Sequence, residues 1–354
     1  MSQIKALLLY CRAGFEAECA AEIQEVAAAL GVAGYAQTHT GSAIVKFHVI
    51  DMPPDLALLH AVRFRNLVFA RQLLVLLGVL DDLPPDDRVT PIIRHLGGTR
   101  VSQLLLETPD TNTGKQLQGL CKKFTRPMTA ALQQAGLYLE NDASLPRLHL
   151  VFLESTRVAL GLSAADNASP WLMGIPRLKF PREAPSRSTL KLDEAILHFL
   201  TPQQQQTRLA PAMTAVDLGA APGGWSYQLV RRHIRVIAVD NGAMANSLLD
   251  SGLVQHLRSD AFSYRPPKPV DWLVCDMVEQ PARVAALVAA WVARGDCRDC
   301  IFNLKLPMKK RYQEVKRCED VIRQRLDAAG IAYSLSFKQL YHDREEVTGY
   351  LHTA

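Results

Sequence analysis

No stretch of this 354-residue chain is apolar for long enough to cross a bilayer. Runs such as residues 73–80 fall far short of the roughly 18 residues required. The opening apolar stretch ALLLYC is shorter than a signal-peptide core and meets Glu16 without a small-residue cleavage site, so a cytoplasmic location is expected. Cysteine is scarce and odd in number, seven in all, which excludes a disulfide framework in favour of reduced thiols. Cys297 and Cys300 form C-x-x-C, but no second pair or H-x-x-x-H accompanies them; they read as two ordinary thiols in a turn, and no metal site is expected. No G-x-G-x-x-G and no G-x-x-x-x-G-K-[ST] occurs, which removes the usual pyrophosphate and triphosphate cradles. Low-complexity sequence is confined to QQQQ at 203–206, read as an exposed loop. What remains is ordinary for a folded protein: 48% hydrophobic and 21% charged residues, with a net charge of +5 that permits an anionic partner without demanding one.

At about 150 residues per domain, the length suggests two or three domains. Short apolar runs and three-to-four-residue periods place a strand at 4–11, a helix at 16–30, a strand at 43–49, a helix at about 55–70 and the strand QLLVLLGVL, before DDLPPDD breaks the pattern. From 89 to 163 follow a short helix, the strand VSQLLLE, a long helix at 115–135 and the paired runs LHLVFLE and TRVALGLS. The prolines at 170, 176, 181 and 185 mark a linker. The boundaries expected are therefore 1–80, 81–165, a basic Pro-rich linker at 166–187, and 188–354. In the last segment strands at 214–218, 235–239, 272–275 and 300–304 alternate with helices, the pattern of a doubly wound α/β sheet. The closing runs AYSLSFKQL and VTGYLH have no helix between them and pair as antiparallel strands.

The sharpest local signal is TAVDLGAAPGGWSYQL, a strand followed by Gly219, Ala221, Pro222, Gly223 and Gly224 and then a helix. In a doubly wound sheet such a turn lies at the carboxyl ends of the strands, where ligands bind, and its small residues let a ligand approach the backbone. Asp240 ends RVIAVD about 20 residues on, well placed for a ribose. Without a pyrophosphate cradle, S-adenosylmethionine (SAM) leads the adenosine-containing candidates, and Asp260 after VQHLRS can bond an adenine edge. A nicotinamide cofactor remains the outside option. The same sheet would present Lys191 from the helix before its first strand, Asp276 ending DWLVCD, Lys305 ending CIFNLK and Glu346 opening the last strand. Ser188 and Lys191 also spell S-x-x-K, but the S-D-N and K-T-G partners of a serine acyl-transfer site are missing.

Together SRSTLKLDEA, DLGAAPGGWSYQL, VCDM, NLK and DREEVT resemble the FtsJ-like ribose 2'-O-methyltransferases. The resemblance implies a Rossmann-like domain whose mostly parallel seven-stranded sheet has one antiparallel strand. It implies a K-D-K-E tetrad of Lys191, Asp276, Lys305 and Glu346, with Lys305 as proton acceptor. Ser188, Ala221, Pro222, Gly223, Gly224, Asp240, Asp260 and Asp276 would line the SAM site. It extends over the first half, which looks like a ferredoxin-like segment followed by a THUMP RNA-binding domain. Within the family it points to members that methylate a cytidine in domain V of 23S rRNA, acting before the large subunit is complete, as a monomer with no membrane association. The alternative is an RNA-binding or ribosome-assembly module that keeps a SAM pocket without turnover. Glu345 adjoins Glu346, and neighbouring strand residues face opposite ways, so only one can join the tetrad; Glu346 is the one that directly precedes the β-rich run.

Such a transfer requires in-line alignment and loss of the hydroxyl proton. Lysine accepts a proton only as the free amine. A neighbouring cation and desolvation favour that form, carboxylates oppose it, and the expectation is that Lys191 and burial prevail. For RNA, Arg177, Lys179, Arg182, Arg187 and Lys191 stand against Glu183 alone, Lys305, Lys309, Lys310, Arg311, Lys316 and Arg317 against Glu314 alone, and Lys115, Lys122, Lys123 and Arg126 against no acid. These stretches suit a phosphate track. Aromatics, at 7%, leave only Trp171, Phe180 and Tyr312 as stacking surfaces.

Overall fold

The apolar runs of the first half pair into a sheet, and its helices cover it. In the computed structural model, which describes residues 6–50 and 56–353, this half comprises β1 (Ala6–Tyr10), α1 (Glu16–Ala29), β2 (Gly34–Thr38), β3 (Ile44–Val49), α2 (Leu56–Ala61), β4 (Gln72–Leu80), α3 (Val89–Leu96), β5 (Gln103–Glu107), α4 (Asn112–Gln134), β6 (Arg147–Glu154) and β7 (Arg157–Ser163). The strands form one seven-stranded sheet in the order β2-β3-β1-β4-β7-β6-β5, antiparallel except between β5 and β6. Because β4 pairs with β1 on one side and β7 on the other, the sheet runs on through the point where a boundary at 80/81 is expected.

Several local expectations need correction. The helix expected over about 55–70 stops at Ala61, and its residue 55 lies outside the described residues, as do the first two of the strand expected from residue 4. Helix α2 ends because buried Asn167 takes over the chain there: its amide donates to the carbonyls of Leu59 and Val62 and its Oδ1 accepts from Phe64 N. The edge strand β2 has no counterpart among the expected elements, since GYAQT lacks an apolar face.

The chain divides into two compact units, 1–176 and 177–354, and this division falls inside the Pro-rich stretch 166–187. Asn167, Ser169 and Met173 are buried in the first unit, and Ala184 in the second.

The second unit contains α5 (Thr189–Phe199), α6 (Pro202–Arg208), β8 (Thr214–Leu218), α7 (Gly224–Val230), β9 (Arg235–Val239), α8 (Asn246–Leu249), β10 (Val254–Leu257), β11 (Val270–Cys275), α9 (Pro281–Ala293), β12 (Cys297–Lys305), α10 (Arg311–Ala328), β13 (Tyr333–Lys338) and β14 (Glu346–Thr353). The strand order is β10-β9-β8-β11-β12-β14-β13, with β14 antiparallel to both neighbours and the other pairings parallel. This is the α/β sheet with a single reversed strand that the family resemblance implies. QQQQ is not a loop: it lies in α6, because Thr201 and Gln204 form a reciprocal capping box and Pro202 opens the first turn. Cys297 and Cys300 are not in a turn either. Both lie in β12, buried, and desolvation drives both thiols well above their usual range, which leaves them unreactive. Among the described residues no His, Cys, Asp and Glu cluster could hold a metal, and no helix is long and apolar enough to cross a membrane.

Candidate active site

Strand register assembles the site. Strands β8, β11 and β12 run in parallel, with Leu218 opposite Cys275 and Cys275 opposite Phe302, so the residues just beyond them emerge at one end of the sheet. Gly219 follows β8, Asp276 follows β11, and β12 reaches one turn of the pleat further to Lys305. The reversed β14 starts at that same end, which places Glu346 directly opposite Lys305 and Thr348 opposite Asn303. Lys191, in the first turn of α5, completes the group.

The four side chains share hydrogen bonds. Lys305 Nζ lies 2.6 Å from Asp276 Oδ1 and 3.0 Å from Glu346 Oε2. Lys191 Nζ lies 2.6 Å from the same Glu346 oxygen and 3.3 Å from Asp276 Oδ2. All four are mostly covered, with side-chain exposures of 13–20%, and so remain reachable from solvent. Burial pulls Lys191 towards the free amine, but Asp276 and Glu346 outweigh it and raise its pKa above the usual value. For Lys191 itself, then, the carboxylates prevail and the group is an ammonium. Glu345 turns away, exposed, to an ion pair with Arg311 at 2.7 Å.

Two residues without an expected role belong to this group. Asn303, fully buried, donates through Nδ2 to Asp276 Oδ1 at 3.1 Å and Glu346 Oε2 at 2.9 Å. Its position two residues before Lys305 puts it on the same face of β12, the one signal that sequence offered. Asp217, inside the otherwise apolar β8, accepts from Ser226 Oγ at 2.7 Å, while its buried Oδ1 has no hydrogen-bond partner among the described residues. Burial first, then the charges of Asp276 and Asp240, lift its carboxyl to about 7 against the hydrogen bonds from Ser226.

The glycine turn is tightly enclosed. A Cβ on Gly219 would come within 2.6 Å of Met277 Cγ, and one on Gly224 within 2.1 Å of Ser188 Oγ and 2.4 Å of Ser186 Oγ. Gly223 has φ of 114°, in the region that excludes most side chains, and packs against Leu248. Ser188 is thus at the turn. Asp240 holds the turn's far side, accepting from Ala221 N at 3.0 Å and from Gly242 N at 2.6 Å. Pro222 lies between these contacts, and its carbonyl accepts from Ala245 N. Asp260, exposed, accepts from Phe262 N and Ser263 N and so shapes the turn after β10.

The turn is bordered by Asp217, Asp240 and Asp276, an acidic surround that suits a cationic ligand.

Comparison with known proteins places the whole chain. The family models described as RlmM ferredoxin-like domain, Ribosomal RNA large subunit methyltransferase M, N-terminal, and FtsJ-like methyltransferase match residues 4–74, 87–164 and 184–330. A protein of Methylococcus capsulatus named Ribosomal RNA large subunit methyltransferase M is 55% identical, with 99% of each chain covered. Proteins of the same name from Cellvibrio japonicus and Azoarcus sp. are 52% and 49% identical, covering 98% of this chain and 98% and 96% of theirs. The chain belongs to the ribosomal RNA large subunit methyltransferase M family.

Proposed function

We propose that this protein transfers a methyl group from SAM to the ribose 2'-oxygen of a cytidine in domain V of 23S rRNA, with Lys305 accepting the hydroxyl proton. The observation that carries the reading is the convergence of Lys191, Asp276, Lys305 and Glu346 within hydrogen-bond distance beside the glycine turn. Ser188, Ala221, Pro222, Gly223, Gly224, Asp240, Asp260 and Asp276 are the residues proposed to hold the cofactor. Asp217, buried with an oxygen that has no partner among the described residues, adds negative charge once it ionises beside a ligand whose sulfonium and ammonium are both cationic. When bound, SAM supplies an activated methyl carbon.

The protein's own groups do the rest. Asp276 and Glu346 hold both lysines in place; these carboxylates keep Lys191 an ammonium, and Lys305 is the proposed acceptor. Positioning the 2'-oxygen in line is the larger contribution such a site can make. Val278 and Met308, two and three residues beyond Asp276 and Lys305, are 92% and 91% exposed, an apolar pair suited to the faces of an RNA nucleotide. The exposed Lys309 and Lys310 follow Met308 in the chain, and the first unit carries its own exposed basic stretch along α4 at Lys115, Lys122, Lys123 and Arg126; each is available to phosphates.

The test is methyl transfer from labelled SAM to large-subunit rRNA fragments, naked or with ribosomal proteins assembled, followed by mass-spectrometric location of the modified ribose. One cytidine labelled at its 2'-oxygen is expected, with better transfer to RNA not yet fully assembled. Binding of SAM and RNA without transfer would instead identify a non-catalytic assembly module.

A further inference from the structure

Behind the tetrad, a run of buried polar groups leads away from the surface. Thr348, fully buried, has Oγ1 2.7 Å from Asn303 Oδ1 and 2.9 Å from Asp343 Oδ2. The amide of Asn303 is committed at its other end, where Nδ2 points both of its hydrogens at Asp276 and Glu346. Rotating that amide would set its oxygen against two carboxylates, so Oδ1 must be the atom that faces Thr348. Thr348 must therefore donate its single hydroxyl proton to Asn303. It has none left for Asp343, and an ionised carboxylate at 2.9 Å would face a lone pair.

We propose that Asp343 is held as a neutral carboxylic acid and heads a one-way hydrogen-bond chain, Asp343 to Thr348 to Asn303, that fixes the tetrad carboxylates in place. Asp343 and Thr348 are positioning residues, and the proposal rests on the tetrad reading given above. The surroundings supply the means. Asp343 is fully buried, and desolvation, followed by the charges of Glu346 and Glu194, raises its carboxyl well above the usual range. Glu194 on α5 accepts from Tyr341 N, His342 N and His342 Nδ1, which fix its carboxyl group in place. Lys191 is hydrogen-bonded to Asp276 and Glu346 but also feels the charge of Asp343, and Lys338 stands opposite Thr348 in the β13–β14 register. Leu340 N donates to Asp343 Oδ2 and by itself favours the charged form, but a hydroxyl oxygen can accept that bond while donating its own proton to Thr348.

The test compares isosteres in the full-length protein. Thr348→Val removes the relay at constant shape and is expected to lower kcat for methyl transfer by about 10- to 100-fold, with SAM affinity and the KM for RNA unchanged. Thr348→Ser, which restores the hydroxyl, recovers most of that loss. Asp343→Asn offers an N–H where the acid offers O–H and is expected to retain far more activity than Asp343→Ala. A difference infrared spectrum of wild type minus Asp343→Asn at neutral pH shows the carbonyl band of a protonated carboxyl. Wild-type kcat in Thr348→Val, or the bands of an ionised carboxylate at Asp343, overturns the proposal. If the Asp343 variants do not fold, the Val and Ser pair at Thr348 decides. A Lys305→Met control separates the two readings: if it turns over normally, the tetrad assignment itself has failed, whereas an inactive control beside a fully active Thr348→Val removes only the chain.

Discussion

Lys305 and Glu346 stand directly opposite each other in the antiparallel register of β12 and β14, with Nζ 3.0 Å from Oε2. The reversal of β14 makes this possible: it brings the start of one strand to the end of another, so that residues far apart in the chain meet at the ligand-binding end of the sheet.

Replacing Lys305 tests the chemistry most directly. Lys305→Met keeps the length of the side chain and removes the proposed proton acceptor, and methyl transfer is expected to fall by about 10²- to 10⁴-fold. SAM affinity by calorimetry should stay close to wild type, because the turn residues are untouched. A variant that methylates rRNA at the normal rate would falsify the role.

Glu345 and Glu346 provide a contrast within one dipeptide. Glu346→Ala takes a carboxylate from both lysines and should be severely impaired, whereas Glu345→Ala removes only a half-exposed pair with Arg311, an interaction worth at most about 1 kcal/mol. Single-turnover rates of the two variants, measured side by side, should differ by at least about 100-fold. Equal rates would mean that the register has been misread.

The turn is open to a steric test. Gly223→Ala forces a side chain into a backbone conformation with φ of 114° and against Leu248, at a cost of about 1–3 kcal/mol. A lower Tm and weakened SAM binding are expected together. Unchanged SAM affinity would place the cofactor elsewhere.

If Lys309 and Lys310 contact phosphates, changing each to Ala should weaken RNA binding for any sequence and make log Kd less steep against log salt by about one unit per lysine. Filter binding of rRNA fragments across a salt series measures this. A slope identical to wild type would mean that these lysines face only solvent.

Asp276, Lys305 and Glu346 were legible as candidates because each interrupts or bounds an apolar run, and a charge at a strand end is visible in one dimension. Asn303 was not. A single amide inside CIFNLK reads as an isolated exception until the β12–β14 register sets Thr348 opposite it. The same limit explains Asn167, which looks like linker and in fact ends α2 through bonds to residues about a hundred positions earlier. In α6 the cause was local but misjudged: composition suggested a glutamine loop, while the Thr201–Gln204 capping box and Pro202 favoured a helix. The unbroken first sheet, too, could not be read across DDLPPDD, because β4 is recognisable as a strand but its two partners are not specified by its own residues.

Asp217 carries the sharpest pH prediction. In the unfolded chain its carboxyl loses its proton near the ordinary value of 3.8, whereas in the folded protein burial and the charges of Asp276 and Asp240 delay that loss to about 7. Between these values the native state binds more protons than the unfolded one, so stability falls as pH rises, and the cost is complete above about 7. Its upper size is about 4 kcal/mol. Asp217→Asn cannot ionise, so urea unfolding of the variant from about pH 5 to about pH 8 should lack this decline, and the two proteins should diverge most at the alkaline end. A cationic ligand near the ionised carboxylate offsets the cost, so SAM affinity should rise over the same range in wild type and less so in the variant. Parallel stability curves for the two proteins would show that Asp217 is charged throughout, with its unpaired oxygen reaching water or a partner in solution.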